Sequence, residues 1–135
     1  MTEDAKNLAR QWFEEVWNKQ REEATTEMFE EGGKAHGLPE PDSVIVGPEE
    51  FKKFHRGMVQ AFPDIHIHLD DLIAEGDRVA VRWTATMTHL GDGLGYAPTG
   101  KKLSLGGSSF LRCQEGKIID GLNYMDFTHL LAQLK

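Results

Sequence analysis

Between residues 5 and 17 the apolar positions Ala5, Leu8, Ala9, Trp12, Phe13, Val16 and Trp17 recur three and four residues apart, which gathers them on one face of a helix. Thr2, followed by Glu3 and Asp4, reads as an N-cap with acids in the first turn. A shorter helical stretch from Ala24 to Glu31 buries Met28 and Phe29 and stops at Gly32-Gly33. The segment KAHGLPEPDSV, with its two prolines, reads as a loop or irregular edge. Gly47-Pro48-Glu49-Glu50 then opens another helix, which carries Phe51, Phe54, His55, Met58 and Phe62 on one side and ends before Pro63.

From Asp64 onward the period changes to two. Ile65, Ile67 and Leu69 alternate with His66, His68 and Asp70. After an EGD turn, Val79, Val81, Trp83, Ala85, Met87 and His89 line one strand face, with Arg78, Ala80, Arg82, Thr84, Thr86 and Thr88 on the other. Gly91 to Gly100 is a connection, Lys101 to Cys113 a strand whose Gly106-Gly107 suggests a bulge, and Gln114-Glu115-Gly116 a hairpin turn into a strand from Lys117 to Met125. A last short helix buries Phe127, Leu130, Leu131 and Leu134. Helices first and a strand meander afterwards predict an α+β fold over residues 1–135 as a single domain.

Composition narrows the function classes. At 135 residues and 39% hydrophobic content, one core is expected without disulfides or metals. The formal charge of −7, with Lys and Arg scattered, argues against nucleic acid as a partner. The lone Cys113 has no partner for an intramolecular disulfide, and the charged opening MTEDAKNLAR lacks the apolar core of a signal peptide, so a cytoplasmic protein is expected. No apolar run approaches the roughly 18 residues that span a bilayer, so no membrane association is expected.

The runs Ala61-Phe62-Pro63-Asp64, Gly76-Asp77-Arg78-Val79, Thr88-His89-Leu90-Gly91, Pro98-Thr99-Gly100-Lys101 and Gly116-Lys117-Ile118, with Asp126 before Leu130-Leu131 and Gln133-Leu134, resemble the signatures of the SnoaL-like polyketide cyclases. These belong to the nuclear transport factor 2-like superfamily. The resemblance implies a cone-shaped, strongly curved antiparallel sheet covered by N-terminal helices around a largely apolar cavity. It also implies cofactor-independent acid/base chemistry, aldol cyclisation or isomerisation, on a small apolar carbonyl compound, with no metal, and a homodimer. In such cyclases the acid/base carboxylate lies on the last strand, three residues before the Asp that opens the terminal helix. Here that position is Asn123, an amide that orients or hydrogen-bonds but does not exchange protons. By the same counting a His on the preceding strand falls on Ser109, and the usual Trp four residues before Asp126 is Leu122.

Two residues are candidates for the base. His89 closes an apolar strand face and is read either as a titrating cavity imidazole or as an anchor for the glycine-rich connection. Asp126 is read either as a buried carboxylate of raised pKa or as the N-cap of the terminal helix. Asn123 and Ser109 are expected as cavity hydrogen-bonding groups, Trp83, Met87, Phe54 and His55 as ligand contacts, and His36 as a residue over the cavity mouth. His55 on an apolar helix face also reads as a satisfied core residue. His66 and His68 share a strand face but lack further ligands of metal-binding spacing, and the Trp12 and Trp17 stripe reads as core. The alternatives to an enzyme are a non-catalytic small-molecule-binding domain of the same fold, or a partner-docking module that uses the sheet face bearing Thr84, Thr86 and Thr88.

Overall fold

The structure is a computed structural model that describes residues 2–134. Helix α1 (Thr2–Gln11) runs directly into a π-helical segment, Trp12–Asn18. The wider winding shows in the bonds from Lys19 N–H to the Glu14 carbonyl (2.8 Å) and from Arg21 N–H to the Glu15 carbonyl (2.9 Å). In an α-helix, residues five apart point about 140° away from each other. The π winding brings Trp12 and Trp17 round to one face, and both rings are buried. The Val16 carbonyl falls outside this ladder and accepts instead from His55 Nε2 at 2.7 Å. Asn18 fixes the segment's far end, donating to the Ile67 carbonyl (3.0 Å) and accepting from the Ile67 N–H (2.7 Å).

Next come α2 (Ala24–Met28), β1 (Phe29–His36), β2 (Val44–Val46), α3 (Gly47–Ala61), β3 (His66–Glu75), β4 (Arg78–Thr88), β5 (Lys102–Gln114), β6 (Lys117–Met125) and α4 (Phe127–Gln133). The strands form one curved six-stranded sheet in the order β2-β1-β6-β5-β4-β3. Pairing is antiparallel except between β1 and β6, which run parallel. Residues 29–36 therefore correct the expectation of helix followed by loop. Only Phe29, Gly33 and Ala35 of β1 are buried, so no alternation of large apolar residues betrays it, and β6 supplies the pairing. The expected bulge at Gly106-Gly107 is absent, since β4 pairs with β5 in unbroken register there; the irregularity lies at Arg112/Cys113. Thr2 lies inside α1, and its hydroxyl accepts from Gly76 N–H at 3.2 Å.

Beyond these points the alternation predicted for β4 is the one found, with Val79, Val81, Trp83, Ala85 and Met87 buried. The helices cover that inner face. Trp12, Phe29 and Phe51 meet edge to face at 5.0–6.0 Å, with Trp17 and Phe54 extending the cluster, each pair worth about 0.5–1.5 kcal/mol beyond area burial. No helix among the described residues is long and apolar enough to cross a membrane.

Candidate functional site

Between the helices and the inner sheet face lies a cavity of about 70 Å³. The π-helical segment contributes Trp12, Phe13 and Trp17, α3 contributes Phe51 and Met58, and the strands contribute Trp83, Met87, Ser109, Gly121 and Asn123. No Asp, Glu, His or Cys is among the lining residues, and Lys34, the ionisable one, is a solvent-exposed residue.

The polar side chains in this wall form a directed chain. Trp83 Nε1–H donates to Ser109 Oγ (3.0 Å), Ser109 O–H donates to Asn123 Oδ1 (2.7 Å), and Asn123 Nδ2–H donates to the His36 carbonyl (3.0 Å). The indole is only a donor, so the serine must receive there and pass its own proton onward, which fixes the amide with oxygen toward Ser109 and nitrogen toward His36. The two positions that depart from the cyclase pattern, Ser109 and Asn123, are direct cross-strand partners. Of the two Nδ2 hydrogens, one is taken by His36 and the other has no protein partner among the described residues.

Other predicted residues lie elsewhere. The His89 side chain is fully buried outside the cavity lining, its ring against Phe62 at 5.7 Å. Its Nδ1 accepts from Thr99 N–H (3.2 Å), with Thr99 Oγ1 at 3.1 Å, so the imidazole ties down the glycine-containing connection. Its Nε2 has no hydrogen-bond partner among the described residues. Asp126 is exposed and caps α4, accepting from His129 N–H at 2.8 Å. His55 is spent on the Val16 carbonyl and packs on Trp17 at 4.9 Å; burial depresses its pKa, opposed by that hydrogen bond. Phe54 is half-buried against Trp17 and Phe51 outside the lining. The His36 imidazole pairs with Asp120 at 3.1 Å, and it is the backbone carbonyl of His36 that reaches the site. Trp83, Met87, Ser109 and Asn123 do line the cavity.

The Trp12 and Trp17 stripe, core by its helical spacing, also forms cavity wall together with Phe13, all three on the π-helical segment. His66 and His68 are exposed, and no cluster of metal-ligating side chains occurs among the described residues. Burial pushes the Cys113 thiol up to about 11, with Asp77 adding to it, so it is no thiolate nucleophile near neutral pH.

Residues 7–134 match the SnoaL-like polyketide cyclase family. The chain belongs to this family. No match among curated proteins reaches significance. Among solved structures, a candidate SnoaL-like polyketide cyclase from Jannaschia sp. CCS1 is similar at TM-score 0.86 and 19% identity, covering 98% of this chain and 92% of that one. AclR, a candidate hydroxylase from Streptomyces galilaeus, has TM-score 0.85 and 27% identity over 99% of this chain and 82% of its own. A candidate polyketide cyclase from Acidithiobacillus ferrooxidans has TM-score 0.80 and 25% identity, covering 97% and 94%. Within the SnoaL-like fold, then, this chain places a neutral, internally bonded Ser109–Asn123 pair in the cavity wall.

Proposed function

We propose that this SnoaL-like protein binds a small, neutral, apolar carbonyl compound in the cavity and holds its oxygen with the free amide hydrogen of Asn123, with no acid/base side chain of its own at the site. The observation that carries this is the lining, an aromatic and aliphatic wall whose inward polar groups, Ser109 and Asn123, are neutral. Neighbouring structures named as cyclases and as a hydroxylase fit a fold whose chemistry is set by its site. Size constrains the ligand. An apolar cavity of roughly 150 Å³ takes benzene, and the space here is about 70 Å³. A one-ring ligand therefore exceeds the space as it stands and is seated only if the unbranched Met58, Met87 and Met125 move to widen it.

Family membership favours a second reading, in which the protein turns such a compound over. Asn123 then stabilises an enolate oxygen while the α-proton leaves to water. Titration calorimetry with acetophenone and with ethylbenzene, its hydrocarbon counterpart, tests the binding that both readings need. Wild type should prefer the ketone by about tenfold, the worth of one hydrogen bond of ~1.4 kcal/mol. Asn123→Leu should lose that preference; a wild type indifferent to the carbonyl defeats the proposal.

We also propose that the outer sheet face pairs with a second copy. One register row crosses all the strands as Val44, His36, Leu122, Phe110, Ala80 and Ile73. Four of these are exposed apolar side chains: Val44 49%, Leu122 39%, Phe110 48% and Ile73 70%. The next row, Glu75, Arg78, Arg112, Asp120 and Lys34, mixes both charges as a two-fold contact needs. The threonine row lies on the same face, but Thr84 and Thr88 already donate to Asp70 and Asp64 at 2.6 Å. Light scattering should report a dimer at micromolar concentration and a monomer for Phe110→Arg; a monomeric wild type rules this face out.

A further inference from the structure

Three glycines adjoin the hydrogen-bonded chain around Asn123, and they differ in why glycine is there. Gly37 has φ +84°, and a β-carbon on it would collide with the Asn123 carbonyl oxygen. At Gly107 a β-carbon would stand 2.5 Å from the Trp83 ring, whose position the bond to Ser109 holds. Packing therefore demands both.

Gly121 is different. Its φ lies outside the left-handed range, and a β-carbon there would meet Leu111 Cδ2 at 3.3 Å and Asn123 Nδ2 at 3.9 Å. The leucine methyl is the end of a flexible side chain that itself lines the cavity, so it has room to give way. Glycine in the middle of a strand forfeits stability that a larger residue would supply, and it often marks the place where a ligand approaches the backbone. Here the bare Cα lies on the inner face beside the amide, paired with Leu111 on β5 and with the small Ala35 on β1.

We propose that Gly121 is the specificity-determining residue of the cavity: its missing side chain leaves a shallow seat between Ala35 and Leu111 for the flat face of a planar carbonyl compound, such as an aryl ketone, whose oxygen accepts from Asn123. This rests on the carbonyl-binding reading above. A β-carbon at 121 would lie 3.9 Å from Asn123 Nδ2, in contact with the donor that holds the ketone oxygen, and would narrow the approach to it. A saturated ring, thicker than a planar one, presses harder on the Leu111 methyl, which already lies 3.3 Å from the β-carbon position.

The test compares wild type, Gly121→Ala and Gly121→Val by titration with acetophenone, cyclohexyl methyl ketone and ethylbenzene, with thermal melts of each protein. Wild type should bind acetophenone most tightly. Both variants should lose acetophenone affinity by about 10–200-fold, the range for a misfit of methylene size, with the melting temperature of Gly121→Ala no lower than that of wild type. Variants that bind acetophenone as tightly as wild type overturn the proposal while leaving the carbonyl preference of wild type intact. A Gly121→Ala protein of lowered melting temperature also overturns it, because packing would then explain the glycine. A wild type that does not distinguish acetophenone from ethylbenzene defeats the carbonyl reading and this proposal with it, whereas equal affinity for the planar and saturated ketones defeats this proposal alone.

Discussion

Relative to wild type, Asn123→Asp is expected to be least perturbed in acid and to lose stability as the pH rises, the reverse of an ordinary surface carboxyl. The amide at 123 accepts from Ser109 and donates to the His36 carbonyl. A protonated aspartic acid reproduces both bonds, its C=O receiving the serine and its O–H reaching the backbone. An ionised one only accepts, and turns negative charge on a carbonyl oxygen. The folded-state pKa must therefore rise above the unfolded value of about 3.9. A carboxyl whose folded pKa is raised leaves stability untouched below the unfolded pKa; the loss grows as the pH climbs to the folded pKa and then levels off. The loss should be about 1–3 kcal/mol, the cost of one unsatisfied buried polar contact. Urea denaturation of variant and wild type from below the carboxyl range to above neutrality measures it as the difference between the two, and a difference that does not grow with pH would show that the amide's donor is dispensable. The same titration should appear in chemistry. Above its folded pKa the new carboxylate is a proton acceptor beside the ligand seat, so deuterium loss from the methyl of labelled acetophenone should rise with pH at that midpoint and stay slow in wild type.

The strands of the second half were readable because a sheet with one covered face writes a period of two, and Val79 through Met87 carry it plainly. β1 was not, because a strand whose inward positions are Phe29, Gly33 and Ala35 carries too little hydrophobic alternation, and its parallel partner lies far along the chain. Within the site, motif spacing reached Ser109 and Asn123 separately, but their contact is a matter of register, which the chain states only once β5 and β6 are paired. For His89 and Asp126 the sequence carries two readings each, a base or a local anchor and cap, and the structure shows the anchor and the cap. Each side chain is taken by a local backbone N–H, of Thr99 and His129, and the geometry of a connection or a cap decides that. The same holds for Trp12 and Trp17, since apolar residues at helical spacing look alike under α and π winding.

Loss of the His55 imidazole should have the largest effect on the fold, because one ring holds the π winding, and with it the cavity wall. The Val16 carbonyl outside the helical ladder is satisfied by His55 Nε2, and the same imidazole packs on Trp17. His55→Ala removes a buried ring and leaves that carbonyl unpaired, for an expected cost of about 3–5 kcal/mol, comparable to truncating a buried aromatic. His55→Gln keeps a donor and should cost about 1 kcal/mol. The two also differ from wild type in pH response. Burial lowers the His55 pKa, the bond to Val16 and nearby Glu22 oppose this, and Arg56 adds to the lowering. A histidine whose folded pKa is depressed stabilises fully above the unfolded value of about 6.5, and that stability drains as the pH falls from there through the folded pKa. Wild type should accordingly weaken between neutrality and mild acid, and His55→Gln should lack that limb. Near-ultraviolet circular dichroism supplies the second readout, since Trp12 and Trp17 share a face only while the segment stays π-wound. If His55→Ala keeps both the wild-type tryptophan signal and the acid limb, the imidazole is a passive core residue and the π segment is held by Asn18 and packing instead.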